Sequence, residues 1–539
     1  MNKFESTPSL GYSYHLPTAG LALKIRNSLA QFSELFSEFN KYIAPAYHHD
    51  RCERSVQMRL YSMHKREFVM VFVAFFALFG LALFIGLAGP PITLKTAING
   101  RNLLQNKQNH SVNANDIATG PFTMRTPLLN TYCQQLWLIA KMSTNNADDE
   151  TFDHTFKINV NIEGLTEEHK PVQILHSRNS KNRTRHLRCR LQECDEFIVL
   201  HLGFLDYQHY IITLNFYELK SFHQRYEIKD LTFFFITYNP GFTQIEIWFR
   251  FIFLLATFII TCWFAHTLKR YAISDWSIEQ KWMSLLLPML LFYNNPIFPL
   301  MFLVNSWLPG MYDAMAQATF LAALLLFWLC VYHGLRQNER RFMVFYLPKL
   351  IVVGMLWFAA IILGTWERYN EMQDPTYSHI VDTNNYYRLK VFFFVSGGIY
   401  ITYLLLLLLR AYTELRSMPF FDMRLKFLTL LMLVVLFISL IITALRFGFG
   451  VLEDNFVAQL STHYNSSAQF MSFYGLLNFY VYAMAYVYAP GNKSLQDSGI
   501  TKDNPAFSMI NDSDEDVIYG SDEESRRPLT RPHQDDDSD

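Results

Sequence analysis

The amino-acid sequence predicts a polytopic α-helical membrane protein with three parts: an N-terminal signal-anchor helix, a lumenal or extracellular β-sandwich, and a C-terminal bundle of seven transmembrane helices. Three observations lead to this prediction. An apolar run at 68–88 is long enough to cross a hydrocarbon core of ~30 Å. A mainly polar stretch follows it, and seven more runs of similar length occupy 248–489. The chain is also 51% hydrophobic and 17% charged, which lies above and below the soluble average respectively.

The N-terminal region, 1–67, carries an apolar stripe at helical spacing, which predicts an amphipathic helix before the first span. This helix would lie on the membrane surface, dock a partner or pack against the bundle, and the spacing does not separate these alternatives. No apolar run of signal-peptide length precedes the span at 68–88, so we expect an uncleaved anchor. The stripe consists of Leu21, Ile25, Leu29, Phe32, Phe36, Phe39 and Ile43.

The polar stretch divides into two segments. Residues 89–130 lack periodicity and predict a flexible stalk. From 131 to 240 the pattern changes to period two, because Phe156, Ile158, Val160 and Ile162 alternate with polar residues. Together with six other candidate strands, this alternation predicts an antiparallel β-sandwich. The other strands are expected at 136–142, 172–176, 185–190, 196–202, 210–219 and 231–238.

Cysteines and glycosylation motifs in this region suit an oxidising compartment. Cys189 and Cys194 lie five apart beside a predicted strand end, where a disulfide could join a turn; the alternative is two unpaired thiols. Asn109, Asn182 and Asn465 begin Asn-X-Ser/Thr motifs and are candidate N-glycosylation sites on the predicted lumenal side.

The short loops of the bundle predict its orientation through their basic residues. One side carries Lys269, Arg270, Lys281, Arg336, Arg340, Arg341, Arg410, Arg416, Arg424 and Lys426. The other side carries only Arg368, Arg388, Lys390 and Arg446. Because positive charge concentrates in cytoplasmic loops, we expect both termini in the cytosol and the β-sandwich in the lumen or outside the cell.

Strongly polar side chains are few within the predicted spans. Asn294 and Asn295 precede Pro296 in the third span, where they should break the helix and could line a bundle cavity. The alternative, which we favour because polar residues commonly serve this role in helix bundles, is that both asparagines bond to neighbouring helices. Glu246 and Asp313 are expected near the outer surface, where water and head groups would solvate them, in structural roles.

No motif indicates catalysis or metal binding. The chain has no nucleophile at a meaningful spacing from a base and no metalloprotease helix motif, so we expect neither an enzyme nor a catalytic residue, a metal site or a cofactor. A net charge of −1 and the lack of a zinc spacing, a phosphate loop or a basic aromatic stripe argue against a nucleic-acid partner.

The segment 490–539 has few apolar residues and several acidic runs, which predict a disordered cytosolic tail. Asn504 and Pro505 favour a turn that would present Phe507 to cytosolic sorting adaptors. Ser513 and Ser521 precede acidic residues and are candidate phosphorylation sites.

Several long runs resemble one family over 57–524. They include WFRFIF at 248–253, IEQKWMSLLLP at 278–288, FLVNSWLPGM at 302–311, FYGLLNFY at 473–480 and KDNPAFSMINDSDEDVIYGSD at 502–522. These runs closely resemble the animal transmembrane protein 181 family. The resemblance implies a distant relation to Wntless and to other proteins that join a lumenal GOLD-type β-sandwich to a seven-helix bundle. It also implies family counterparts for Cys189, Cys194 and the last seven spans.

Wntless carries a lipid-modified secreted cargo, although no cargo-contacting position transfers residue by residue. The β-sandwich, the bundle and the acidic tail occurring together predict a multi-pass receptor or trafficking escort, located in Golgi or endosomes and the plasma membrane. Its expected partners are membrane lipids, a lumenal or extracellular protein or lipidated ligand, and cytosolic sorting adaptors. A G-protein-coupled type of signalling receptor is the alternative, and a channel or transporter is a third class.

Overall fold

The computed structural model describes residues 56–105, 114–145, 152–174, 182–190, 192–335, 341–377, 386–415, 419–447, 464 and 466–491. Along the chain a long apolar helix is followed by a β domain and then by seven long apolar helices. This order confirms the predicted fold class. The amphipathic stripe at 21–43 lies outside the described residues.

Eight helices in the described ranges are long and apolar enough to cross a membrane. They are α1 (Lys65–Ala88), α2 (Pro240–Leu268), α3 (Ile278–Tyr293), α4 (Leu308–Gly334), α5 (Leu347–Gln373), α6 (Tyr386–Leu415), α7 (Pro419–Phe447) and α8 (Ser467–Tyr488). A π-helical turn at Phe342–Tyr346 leads into α5, and a 3-10 helix at Phe298–Phe302 continues the span that α3 begins. The predicted spans at 68–88 and within 248–489 are thus confirmed as helices.

Local chemistry explains where α2 and α3 begin. The Asn239 side chain accepts a hydrogen bond from the backbone N–H of Gly241, and Pro240 occupies the first turn of α2. At the start of α3, Ser277 and Gln280 form a capping box in which each side chain bonds to the other's backbone. Both arrangements satisfy amide groups that have no partner inside the helix.

The middle of the third span is broken, as the Asn-Asn-Pro sequence predicts. Helix α3 ends at Tyr293. Asn295 then adopts a positive φ of 50°, a conformation that asparagine tolerates better than most residues. Because Pro296 has no N–H to continue the helix, the chain resumes as a 3-10 helix only at Phe298. The break leaves the polar side chains of Asn294 and Asn295 buried beside α2 and α4.

Helix α1 packs closely against α8 through small residues. A Cβ added to Gly86 would lie 2.5 Å from the Cα of Ala468, and one added to Gly475 would lie 3.0 Å from the Cβ of Ala82. Small residues at such positions let two membrane helices approach backbone to backbone. The anchor helix is therefore part of the bundle and does not stand apart from it.

The β domain is one curled antiparallel sheet around its own hydrophobic core. Its strands are β1 (Thr93–Asn99), β2 (Phe122–Arg125), β3 (Leu136–Thr144), β4 (Phe152–Leu165), β5 (Pro171–Gln173), β6 (Arg183–Arg190), β7 (Glu193–Cys194), β8 (Phe197–Leu202), β9 (His209–Tyr217) and β10 (Ile228–Tyr238). They are ordered β1-β10-β3-β7-β6-β4-β9-β2, with β5 beside β4 and β8 beside β3.

The alternation in β4 follows its position in this sheet. Phe156, Ile158, Val160 and Ile162 are all buried, and Val160 pairs directly with Leu214 of β9. Because successive side chains of a strand point to opposite faces, period-two alternation places one face in the core. The seven predicted strands are present.

The flexible stalk predicted for 89–130 is wrong. Strand β1 pairs with β10 along its whole length, from Thr93 opposite Tyr238 to Asn99 opposite Thr232, and β2 pairs with β9. Short helices at Gly100–Gln105 and Ala114–Thr119 lie between these strands. Strand β1 is an edge strand whose first five residues are exposed, so it lacks the alternation by which a strand is recognised. Pairing with β10, a distant part of the chain, determines its structure.

Candidate ligand site between the β domain and the bundle

The β domain contacts the bundle through the segment that precedes β3. The Thr243 hydroxyl of α2 donates a hydrogen bond to the Tyr132 carbonyl oxygen at 2.8 Å. The Gln134 side-chain amide donates to the Thr243 hydroxyl at 2.9 Å and to Glu246 at 3.4 Å. Gln134 has a φ of 55°, and this turn directs the chain toward the start of α2. These bonds place polar β-domain side chains over the first turns of α2.

A buried charge cluster lies directly beneath this contact. Arg250 of α2 contacts Glu246, one turn earlier, at 3.0 Å and Asp313 of α4 at 3.1 Å. The Arg250 and Glu246 side chains are only 7% and 9% exposed. Asn295 and Gln317 each donate a further hydrogen bond to Asp313, at 2.7 and 2.8 Å. Ionisable groups buried among apolar helices are costly unless they are paired, so the cluster is a candidate functional position.

A cavity of about 90 Å³, here called the junction cavity, is lined by residues of both the β domain and this cluster. Since one buried water needs roughly 10–15 Å³ of such space, the cavity can hold several waters or a small polar group. The Tyr474 hydroxyl at its wall is buried and has no hydrogen-bond partner in the part of the chain that the structure describes. The lining includes Gln134, Gln135 and Tyr238 of the β domain and Glu246, Arg250, Tyr293, Phe298, Asp313, Gln317, Phe470 and Tyr474 of the bundle.

A second cavity, of about 300 Å³, opens sideways between α2 and the broken third span. We call it the lateral opening. Its walls are mostly apolar, and Arg250 and Phe298 line both cavities. Phe251, on its α2 side, is 52% exposed on the surface of a transmembrane helix. The lining comprises Ile247, Trp248, Arg250, Phe251, Leu254, Asn294, Asn295, Pro296, Phe298 and Pro299.

The break in the third span therefore lines a cavity with Asn294, Asn295 and Pro296. The two asparagines also bond to neighbouring helices. The Asn294 side-chain amide donates to Thr257 of α2 at 2.8 Å and to Asn478 of α8 at 3.0 Å. The Asn294 side-chain oxygen, Oδ1, is buried and has no hydrogen-bond partner within the described ranges. The two alternatives considered from the sequence are thus compatible with each other.

A second contact between β domain and bundle lies at the end of α5. Arg183 of β6 forms an ion pair with Asp374. The fully buried Arg185 donates to the Thr376 carbonyl oxygen at 2.7 Å, and the His201 N–H donates to the Pro375 carbonyl oxygen at 2.8 Å. Burial acts to raise the pKa of Asp374, but hydrogen bonds from Thr376 and Arg183 outweigh it and hold that pKa below its usual range.

Replacing Asp374 by asparagine is expected to lower the melting temperature of the protein by an amount that stays constant from pH 7.5 to 5. Because the pKa of Asp374 is lower in the folded state than the ~3.9 of an unfolded chain, its ionised form stabilises the fold above that value. The stabilisation is lost as the pH falls through the folded pKa. Melting curves of both proteins against pH measure this difference, which should shrink only below about pH 4.

Asp153→Asn is the matched control, because Asp153 forms an exposed pair with Arg188 in the same sheet. Such exposed pairs contribute little, so this variant should melt close to the parent protein. The role given to this ion pair would be contradicted if Asp374→Asn and the parent protein already had the same melting temperature at pH 6.

The other predicted site residues lie away from both cavities or outside the described residues. Cys189 and Cys194 form a disulfide between β6 and β7. Asn182 is exposed before β6, and its side chain accepts a hydrogen bond from Asn159. Asn109, Asn465, Asn504, Pro505, Phe507, Ser513 and Ser521 lie outside the described residues.

The charge cluster is what sequence reasoning missed. Glu246 was expected in a solvated position, but it is buried and paired with Arg250. The available signal was the Glu246–Arg250 spacing of four, which puts both side chains on one helix face, together with an arginine inside an apolar run. Asp313 carries no such local signal, because it reaches the cluster from α4.

Comparison with known proteins divides the chain where the structure does. A model of the TMEM181 GOLD domain matches residues 120–238, and a model of the Wntless-like transmembrane domain matches 239–492. Human transmembrane protein 181 is 52% identical over 468 residues, which make up 87% of this chain and 94% of that protein. The wntless homologs of Rattus norvegicus and Gallus gallus are each 25% identical, over 331 and 337 residues, covering 57% of this chain and 60% of theirs.

Proposed function

This chain belongs to the transmembrane protein 181 family, and we propose that it is an escort receptor for a lipid-modified secreted ligand held between the GOLD domain and the bundle. One observation carries the proposal. The polar junction cavity and the apolar lateral opening share Arg250 and Phe298, so the polar and apolar parts of one ligand could bind side by side.

The two cavities suit the two parts of such a ligand for different physical reasons. Charged and amide groups line the junction cavity, and both β-domain and bundle residues contribute to it. A polar ligand segment there would contact both parts of the protein. The lateral opening presents aromatic and aliphatic side chains at the lipid surface, so an acyl chain could enter or leave it without crossing water.

The family relation supports the same function. Wntless carries a lipid-modified cargo, and residues 239–492 of this chain match the Wntless-like transmembrane domain. We also propose that the β domain is lumenal or extracellular, that both termini are cytosolic, and that the tail engages sorting adaptors during cycling between Golgi, endosomes and plasma membrane. A glycan on Asn182 tests the orientation, and deletion of 492–539 with imaging of the protein's distribution tests the sorting step.

A photo-crosslinking residue at position 251 tests the ligand proposal. We expect it to capture a secreted protein that carries a clickable fatty-acyl label, because Phe251 lines the lateral opening. Phe258 gives a matched control: it lies seven residues further along α2, has a similar exposure of 56%, and does not line the opening. Crosslinking would be done in intact cells and read out by gel fluorescence of the acyl label.

Membrane lipids should react at both positions, whereas the acylated protein should react only at position 251. The same adducts at positions 251 and 258, or lipid adducts alone at both, would overturn the escort proposal.

A further inference from the structure

The charges around the junction cavity do not balance. Two carboxylates, Glu246 and Asp313, face one guanidinium, that of Arg250. No second cationic side chain lines the cavity among the residues that the structure describes. If both carboxyl groups are ionised, one negative charge remains in excess at this position.

The hydrogen bonds indicate that both groups are ionised. Each of the four carboxyl oxygens accepts a bond from an N–H donor: Glu246 accepts from Arg250 and Gln134, and Asp313 accepts from Arg250, Asn295 and Gln317. All of these bonds can form with both carboxyl groups ionised, whereas a protonated group would need a further acceptor for its O–H, and the surrounding groups in these bonds are all donors. The geometry therefore favours two carboxylates and a net charge of −1 for the cluster.

An independent feature indicates that a ligand completes the site. The Tyr474 side chain is 3% exposed, lines the cavity, and its hydroxyl has no hydrogen-bond partner among the described residues. A buried hydroxyl without a partner costs free energy, and the oxygen can accept a bond from a donor in the cavity. Tyr293 adds aromatic surface of the kind that favours cations, and the rings of Phe298 and Tyr474 already lie against the Arg250 guanidinium, at 4.1 and 5.5 Å.

We propose that the junction cavity binds an organic cation, the ammonium or guanidinium group of the ligand. This inference rests on the escort function and specifies its ligand: a basic group lies in the junction cavity beside an apolar chain in the lateral opening. An ammonium group would satisfy Tyr474, offset the excess charge of the Arg250 cluster, and fit the limited volume. The source is then a lysine or arginine next to the ligand's lipid, or the head group of a lipid such as phosphatidylethanolamine.

The test uses the full chain in phosphatidylcholine nanodiscs, which contain no primary ammonium group. Apparent dissociation constants for n-hexylammonium, n-hexanol and hexanoate would be obtained from ligand-induced thermal shifts. We expect hexylammonium to bind about tenfold or more tightly than hexanol, because hydrogen bonds that involve a charged group are stronger than those between neutral groups. Hexanoate should bind most weakly. Equal binding of hexylammonium and hexanol would overturn the proposal.

Two variants locate the effect. Asp313→Asn removes the excess charge and should abolish the preference for hexylammonium over hexanol. Tyr474→Phe retains every charge and should weaken hexylammonium binding several-fold. It tests the site even if Asp313→Asn does not fold. Asp206→Asn is the control, because Asp206 bonds to Asn305 and does not line the cavity. An unchanged preference in both Asp313→Asn and Tyr474→Phe would also overturn the proposal.

Repeating the assay in nanodiscs that contain phosphatidylethanolamine separates the two sources. A lost hexylammonium response would assign the site to the lipid head group, and a retained response would assign it to a basic side chain of the ligand. An acyl-labelled adduct at position 251 without an ammonium preference would remove this inference and leave the escort function. An ammonium preference without an acyl-labelled adduct at position 251 would remove the escort function and leave the cation site.

Discussion

Replacing Arg250 by methionine is expected to destabilise the bundle by about 3–5 kcal/mol, the usual cost of removing one partner of a buried ion pair. Methionine retains much of the side-chain length but leaves Glu246 and Asp313 as two buried carboxylates without their shared cation. The loss should be measured as a fall in melting temperature and in the monodisperse fraction of the purified protein in detergent.

Neutralising the carboxylates should rescue this variant. In the triple variant Arg250→Met, Glu246→Gln, Asp313→Asn no charge is left unpaired, so its stability should recover toward that of the parent protein. Lys269→Met provides a control because Lys269 is an exposed cation at the other end of α2. If Arg250→Met melts like Lys269→Met, or if the triple variant is no more stable than the single one, the cluster is not a coupled unit.

The architecture could be predicted from the sequence because its signals are local. Each membrane span is a continuous apolar run, and the buried face of β4 consists of four alternating apolar residues from Phe156 to Ile162. Strand β1 could not be predicted, because its edge position leaves Leu94 and Lys95 equally exposed and its only strong constraint is the pairing with β10. Alternation of apolar and polar residues reflects which side chains are buried, and an edge strand buries few of its side chains.

The candidate site shows the same limit. The Asn294-Asn295-Pro296 break was visible as a local violation of an apolar run, and it does line the lateral opening. The junction cavity was not visible, because its walls come from the β domain, α2, α3, α4 and α8. Gln134 meets Glu246 across more than a hundred residues of chain. No spacing rule predicts such a contact.

Gly86→Ala is expected to destabilise the protein, whereas Gly80→Ala, on the same helix, is expected to leave its stability unchanged or to increase it. A Cβ at Gly86 would lie 2.5 Å from the Cα of Ala468, whereas one at Gly80 meets nothing within 4 Å. Alanine favours a helix over glycine by about 1 kcal/mol, so Gly80→Ala should be neutral or stabilising. Gly86→Ala should destabilise by about 1–3 kcal/mol, because α1 and α8 must separate.

The separation should also reach the ligand site, because α1 leads directly into the β domain. Beside Gly86, the Ser467 hydroxyl of α8 bonds to the Pro90 carbonyl oxygen, and Ile92, two residues later, lines the junction cavity. We therefore expect Gly86→Ala, but not Gly80→Ala, to weaken capture of the acylated ligand at position 251 along with the melting temperature. If Gly86→Ala melts earlier yet captures ligand normally, α1 serves as an anchor only, and the β domain is positioned by its contacts with α2 and the end of α5.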